Sequence, residues 1–348
     1  MVKNPPWLEL GEDIWANILH RLGAIEILQT AQKVCTTWRR ICKDPSMWRV
    51  ITMGNDGDLF KITYELEVMC RHAIDRSQGE LVDINLEYCA TDHLLEYIAE
   101  RSGKLRRLSI ACCYRRVYKG FDAVAHKLPL LEELSLTHTT ITPKAIEALG
   151  GSCLKLKSFE LNNSFKEDFI DDSDEEYERN KEARAIAKSM PALHHLQLIG
   201  NCMSNKGLEA ILTGCPHLES LDLRQCNGIW FDEDLSNKIS RQIKDVKHPH
   251  DSLDGLKFSF EYEDGIDEYS ELGDTSDNDY SELGDTSDDD YSELGDTSDD
   301  DYSELGDTSD GDSGFLEDIG ILFLGLASFM MLRALFGHWI VNSAPGVR

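Results

Sequence analysis

The sequence is short of basic residues and of the motifs that mark enzymes. Its 348 residues contain 35 Lys and Arg against 64 Asp and Glu, which gives a formal net charge of -29. Residues 1–260 show no basic cluster, so we expect no binding to nucleic acid. The chain lacks a phosphate-binding loop, a G-x-S-x-G motif and an H-E-x-x-H motif. We therefore expect a non-enzymatic protein without catalytic residues or a cofactor.

The cysteines also lack the spacing that disulfide-rich or metal-binding domains use. Ten are present at irregular intervals, and no C-x-x-C pair occurs. The first residues lack the basic and apolar regions of a secretory signal. These features predict reduced thiols, a cytoplasmic or nuclear location and no metal site.

Apolar residues recur at every fourth position near the N-terminus. Leu10, Ile14, Ile18 and Leu22 form one stripe, which predicts a helix that stops at Gly23. Two more short apolar stretches follow before Pro45, which no helix interior accepts. Three short helices are predicted here.

These helices resemble an F-box, the module that docks substrate receptors onto the Skp-type adaptor of cullin-RING ubiquitin ligases. The matching residues are Leu10, Glu12, Ile14, Ile18, Leu19 and Leu22 at the start, and Val34, Cys35, Trp38, Arg39, Met47 and Trp48 at the end. Gly11 departs from the usual proline. The resemblance implies a Skp-type adaptor, and through it a cullin, as partners. It implies as adaptor-binding residues Leu10, Ile14, Leu22, Ile27, Val34 and Trp38. The alternative is that these apolar residues only pack against one another.

A nine-residue pattern, L-x-x-L-x-L-x-x-C/N/T/S, occurs six times after the F-box. The copies start at Leu81, Leu105, Leu131, Leu156, Leu193 and Leu218, at the period of leucine-rich repeats. The fourth and sixth positions are predicted to point inward from a short strand, with helical segments closing each coil. The fold class is therefore α/β, with a three-helix F-box followed by a leucine-rich-repeat solenoid, or horseshoe.

The predicted domains follow from these patterns. The F-box covers 5–53, a linking helix 54–80 and the solenoid 81–250, with an acidic, looped insertion at 166–182. A capping helix is expected at 232–246, and an extra first strand around Val50 is left open. A disordered acidic tail, 251–318, and a hydrophobic helix, 319–341, complete the chain. In tandem, the F-box and the repeats resemble plant F-box proteins of the Skp-interacting-partner type.

The outward positions of the repeat strands are the candidate surface for a target protein. The third, fifth and seventh positions should face the concave side, and they carry mixed polar side chains. Such a surface suits a protein partner better than an apolar ligand, although solvent exposure alone would explain the same residues. The candidate target-binding residues are Arg107, Glu133, Glu160, His195, Asp222 and Arg224.

The acidic tail contains four near-identical eleven-residue repeats. From Glu261 to Asp318 it has 25 acidic residues and no Lys or Arg. Too few apolar residues are present to offset the entropy of ordering. Each repeat places a serine three residues before an aspartate, a pattern that acidophilic kinases favour. The candidate phosphorylation sites are Ser276, Ser287, Ser298 and Ser309, with a solubilising spacer as the alternative.

The segment 319–341 is the one long apolar run. Twenty-three residues at about 1.5 Å each would cross a hydrocarbon layer of about 30 Å. Arg333 and His338 oppose insertion. The alternatives are a tail anchor that faces the cytosol and an apolar helix that docks on the solenoid.

These features together predict a substrate receptor. The F-box would hold the Skp-type adaptor, and the repeats would hold a target protein for ubiquitination. The alternative is an interaction protein or membrane tether that uses the same repeats without degradation.

Overall fold

The computed structural model of the chain describes residues 11–54, 63–113, 120–162 and 175–258. Leu10, the four candidate phosphorylation serines and the segment 319–341 lie outside these ranges, so their roles stay predictions. Among the helices that are described, none has the length and apolar character needed to cross a membrane.

Three short helices form the N-terminal part, as the apolar spacing predicts. They are α1 (Glu12–Leu19), α2 (Ala24–Gln29) and α3 (Thr36–Cys42), joined by 3-10 turns at His20–Leu22 and Ala31–Lys33. Gly23 separates the first two with a φ of 81°, which a residue without Cβ adopts at little cost. A last 3-10 turn, Pro45–Trp48, leads into the sheet.

Tryptophans fill the centre of this helical part. The rings of Trp15 and Trp38 lie 5.0 Å apart, tilted by 58°. Buried Trp48 donates from Nε1 to the carbonyl oxygen of Cys42 at 2.8 Å. This bond satisfies the polar atom of a large side chain that would otherwise be costly to bury.

Eight described strands form one parallel sheet in chain order. They are β1 (Val50–Met53), β2 (Asp83–Glu87), β3 (Arg107–Ala111), β4 (Glu133–Thr137), β5 (Ser158–Asn162), β6 (His195–Gln197), β7 (Ser220–Asp222) and β8 (Asp245–Lys247). The register is unbroken, so Ile84, Leu108 and Leu134 occupy one row. The first strand, which the sequence left open, is present. The eighth was not predicted.

The repeat pattern explains both the core and the turns. Leucines at its first position and apolar residues at its fourth and sixth positions are all buried, as predicted. The eighth position is left-handed wherever it is described, with positive φ at Tyr88, Cys112, His138, Gly200 and Gln225. This conformation turns the chain away from the sheet after each strand, and five equivalent turns keep the coils in phase.

Helices close the coils on the outer side. They are α4 (Thr63–Arg76), α5 (Asp92–Arg101), α6 (Gly120–Val124), α7 (Pro143–Ser152), α8 (Glu175–Arg179), α9 (Lys181–Ser189), α10 (Asn205–Gly214) and α11 (Glu233–Gln242). Side chains of Thr91, Thr142 and Asp232 accept hydrogen bonds from backbone N–H groups and cap α5, α7 and α11. Such caps satisfy donors that a helix start leaves unpaired.

Three details differ from the sequence prediction. The described end of the acidic insertion, 175–182, lies in α8 and α9 and not in a loop. The capping helix ends at Gln242, because Ile243 is extended and leads into β8. Residues 251–258, predicted to begin the disordered tail, make defined side-chain contacts with the repeats.

Candidate adaptor-docking and target-binding surfaces

The helix α1 carries apolar residues on two faces. Trp15 and Leu19 point into the core, with 3% and 0% of their surface exposed. Ile14 is 45% exposed, and Ile18 is half-buried. Because residues four apart share a helix face, Ile14 and Ile18 form a second stripe, on which Ile14 is exposed and Ile18 packs partly against the core. This stripe is the candidate adaptor-docking face.

The predicted adaptor-binding residues divide into surface and core. Leu22 and Val34 are half-buried at the edge of the helical part and stay available for contact. Ile27 and Trp38 are 3% and 2% exposed, so they belong to the core. The prediction is corrected at these two positions, because a buried side chain supports the docking face without touching a partner. Ile25 and Leu28, which the prediction omitted, are half-buried beside them.

An ion pair and the first layer of the solenoid hold this face in place. Arg40 of α3 binds both carboxylate oxygens of Glu12 on α1, with Nη1 donating to Oε2 at 2.8 Å. Arg76 of α4 lies over the ring of Trp48 and donates to Gln32 at 3.0 Å. One hydrophobic core runs from Trp15 through Ile51 of β1 into the repeats. The docking face is therefore attached to a rigid support.

The concave face shows four of the six predicted target-binding residues. Arg107 and Glu133 stand in one row across the sheet, with His195 two strands further on. Arg107 donates from Nε to Asp83 at 2.7 Å, and Glu160 accepts from the hydroxyl of Ser135 at 2.6 Å. All four reach solvent. They form a polar strip on β3 to β6.

Asp222 and Arg224 are a correction to the predicted target surface. Both are buried, at 5% and 4% exposure. Arg224 donates from Nη2 to Asp222 Oδ2 at 2.7 Å and from Nε to Oδ1 at 3.0 Å. Its Nη1 donates to the carbonyl oxygen of Ser252 at 2.8 Å. The hydrogen bonds between Arg224 and Asp222 offset the cost of burying both charges. The bond from Arg224 to Ser252 holds the segment after β8 against the repeats.

Local contacts shift several pKa values on and near the concave strip. The hydrogen bond to Asp83 raises the pKa of Arg107. Hydrogen bonds from Lys244 and His194 lower the pKa of Glu219. Burial raises the pKa of Tyr88 to about 12 and also raises the pKa of the Cys112 thiol. Both side chains are half-buried, so burial disfavours their charged forms.

A shallow depression lies in the same strip. It has a volume of about 280 Å³ and is lined by Glu132, Glu133, Lys157, Ser158, His194 and His195. Small-molecule pockets usually enclose roughly 300–1,000 Å³ and are mostly apolar. The charged and hydroxyl-bearing residues that line it can hydrogen-bond a polar side chain of a protein partner.

One contact set at the strand ends was missed by sequence reasoning. Glu87 at the end of β2 pairs with Lys257, and His138 after β4 meets the ring of Phe258 edge-on, with centroids 6.2 Å apart. The composition of the chain carried a signal for this contact. The stretch without Lys or Arg begins after Lys257 and not at Asp251, so the acidic tail could have been placed later.

Comparison with known proteins identifies the family to which this combination of helices and repeats belongs. An F-box domain model matches residues 7–50, and a leucine-rich-repeat model matches residues 127–150, 190–212 and 214–229. The chain belongs to the plant family of F-box proteins with leucine-rich repeats.

Particular relatives come from Arabidopsis thaliana. The F-box protein SKIP19 is 47% identical over 262 residues, which cover 75% of this chain and 83% of that protein. Putative F-box/LRR-repeat protein 23 is 46% identical over 71% of this chain, but over only 54% of its own length. Among solved structures, a chain of the yeast Rad7 and Elc1 complex is 16% identical, covers 54% of this chain and 50% of its own, and gives a TM-score of 0.39. A TM-score this low supports no functional argument.

Proposed function

We propose that the protein is the substrate receptor of a Skp-cullin-F-box ubiquitin ligase. The observation that carries this proposal is the second apolar stripe of α1, on which Ile14 is 45% exposed although the helix is already anchored by Trp15 and Leu19. Apolar surface that a small helical module leaves exposed is a candidate for contact with a partner. The F-box family supplies the partner, a Skp-type adaptor that connects to a cullin.

The concave strip is the matching target surface. Polar side chains of Arg107, Glu133, Glu160 and His195 face outward from β3 to β6, whose leucine, isoleucine and phenylalanine side chains point inward. A target held there would be presented to the ubiquitin-bearing enzyme, so the receptor contributes proximity and the chemistry lies in its partners. The protein itself is non-catalytic, and ubiquitination would lead to degradation by the proteasome.

The test is a pull-down of the Skp-type adaptor with Ile14→Lys. We expect binding to fall by at least about 100-fold, because burying an unpaired ammonium group at the interface costs several kcal/mol. Leu154→Lys is the matched control, since Leu154 is 77% exposed on a turn of the repeats and the same charge there leaves binding unchanged. Unchanged adaptor binding by Ile14→Lys contradicts the proposal.

Co-purification of a cullin with the wild-type chain separates the ligase function from a tether without degradation. We expect the cullin in the wild-type sample and its loss together with the adaptor in the Ile14→Lys sample. Adaptor without cullin would favour the tether.

A further inference from the structure

Residues 249–258, which we call the return segment, cross back over the strand ends of the sheet. Beyond β8, Gln225 donates to the carbonyl oxygen of Pro249 at 2.8 Å, and Arg224 donates to that of Ser252. Gly255, with a φ of 83°, lets the chain turn. Lys257 then reaches Glu87 on β2, 170 positions earlier in the chain. The segment therefore runs from β7 to β2 across the concave rim.

Glu87 is a buried anion built into the sheet. Its side chain is 3% exposed, and Asn85 donates to Oε1 at 2.9 Å. Gly54 packs so closely that a Cβ there would lie 3.2 Å from both carboxylate oxygens. In the described part of the chain, the cation that balances this carboxylate is Lys257. A buried carboxylate is stabilised by a counter-charge, so a basic side chain is the favoured occupant of this position.

The cation and its aromatic neighbour are held much more loosely than the anion. The side chain of Lys257 is 55% exposed, on a segment without regular secondary structure. Phe258 lies beside it, with the Lys257 ammonium 5.5 Å from the ring centroid, and meets His138 edge-on. An exposed cation on a loop exchanges more easily than an anion fixed in a strand. The site can therefore accept the same chemistry from another chain.

We propose that the return segment is an internal competitor for the target site. The target would carry a Lys or Arg followed by an aromatic residue, which replace Lys257 at Glu87 and Phe258 at His138. This inference rests on the proposed function, since it identifies the class of target that the repeats hold. Because a cation stabilises Glu87, a basic target segment exchanges with the return segment at a lower cost than a neutral or acidic one. The receptor therefore favours sequences that carry the basic residue.

The test uses the full chain and a fluorescent peptide of sequence SLDGLKFS. The double variant Lys257→Ser/Phe258→Ser empties the site while it keeps the backbone. A tethered competitor acts at an effective concentration in the millimolar range, so we expect the peptide to bind the double variant at least about ten-fold more tightly than the wild type. A peptide with Glu in place of Lys should not bind. Fluorescence anisotropy measures both.

Two further variants make the result specific. Lys206→Ser/Tyr177→Ser removes one cation and one exposed aromatic residue elsewhere, at positions 67% and 61% exposed, and should bind the peptide as weakly as the wild type. Adding the near-isosteric Glu87→Gln to the emptied variant should lower peptide affinity at least about ten-fold, because the cation loses its partner. Circular dichroism confirms that each variant is folded.

The outcomes are separable from those of the adaptor experiment. Equal peptide affinity for the wild type and the emptied variant, no binding to a folded emptied variant, or no effect of Glu87→Gln overturns the inference. None of these readouts involves the adaptor, and all of these variants should bind it as the wild type does. Failure of the peptide experiment thus leaves the docking proposal standing, and failure of the adaptor pull-down leaves the peptide result standing.

Discussion

Apolar side chains differ in exposure between the F-box helix α1 and the repeat strand β3. On α1, Ile14 and Ile18 reach the surface although the core is already filled by Trp15 and Leu19. On β3, Leu108 and Ile110 are 1% and 0% exposed, and the outward-facing Arg107 and Ser109 are polar. An apolar face favours a lasting partner, because its exposure costs free energy whenever the partner is absent. A polar face can be selective and reversible.

Replacing a core tryptophan and an exposed isoleucine gives the sharpest test of this comparison. Trp38→Ala should cost about 3–5 kcal/mol of unfolding free energy, since the side chain is 2% exposed and its ring packs against that of Trp15. Ile14→Ala should cost less than about 0.5 kcal/mol, because little of its surface is covered. Urea denaturation measures both.

Similar losses of unfolding free energy in Trp38→Ala and Ile14→Ala would contradict the division of F-box residues into core and surface. Adaptor affinity is the second measurement. Trp38→Ala should weaken binding because it unfolds the F-box, and Ile14→Ala because it removes apolar contact surface. A fully stable Trp38→Ala variant would mean that Trp38 is not part of the core.

The buried ion pair in the repeats gives the next largest effect. Arg224→Met leaves Asp222 buried beside Lys247, whose Nζ is 3.4 Å from Oδ2, and should destabilise the chain by about 3 kcal/mol. The double change Asp222→Asn/Arg224→Met should cost clearly less, because no charge is left unpaired. Thermal unfolding of Arg224→Met, Asp222→Asn and the double variant measures the coupling free energy between the two side chains.

Equal losses for the single and double variants would show that the pair does not act as a unit. The contrast with the F-box is direct, since the exposed pair of Arg40 and Glu12 has side chains 64% and 56% exposed. Exposed pairs of this kind contribute little to stability, because water and salt screen the two charges.

Helix starts give the smallest effect. Thr91 accepts a hydrogen bond from the N–H of Leu94 at 3.0 Å, and Thr91→Ala should cost about 1 kcal/mol. Gly11 precedes α1 without a side-chain cap, and Gly11→Ser should add only a few tenths of a kcal/mol. Chemical denaturation of the two variants measures the difference, and a loss of stability in Gly11→Ser would contradict the expectation.

Sequence reasoning recovered what local periodicity determines. The spacing of Leu81, Leu105 and Leu131 predicts the strands, and the apolar fourth and sixth positions predict their inward faces, because side chains alternate along a strand. Helical spacing likewise predicts α1, although the α-helix ends at Leu19 and a 3-10 turn, His20–Leu22, continues to Gly23. These properties depend on neighbours in the chain.

Contacts between distant residues were beyond the same reasoning. Trp38 and Ile27 match the F-box pattern whether they bind or pack, and only the packing of three helices shows that they are buried. Asp222 and Arg224 occupy outward positions of the repeat, yet both are buried, and Arg224 bonds to the carbonyl oxygen of Ser252. The pairing of Glu87 with Lys257 joins residues 170 positions apart, and no periodic pattern encodes it.

The hydrophobic core is continuous from Trp48 through β1 into the parallel sheet. The position of a strand in the sheet therefore sets its distance from the F-box. Neighbouring strands are about 4.8 Å apart, so each repeat moves a bound target one such step away from the F-box. A target segment at Glu87 sits one strand from β1, whereas a segment at β7 would sit roughly 24 Å farther along the stack. The choice of repeat would therefore set which lysines of the target come within reach of the enzyme that carries ubiquitin.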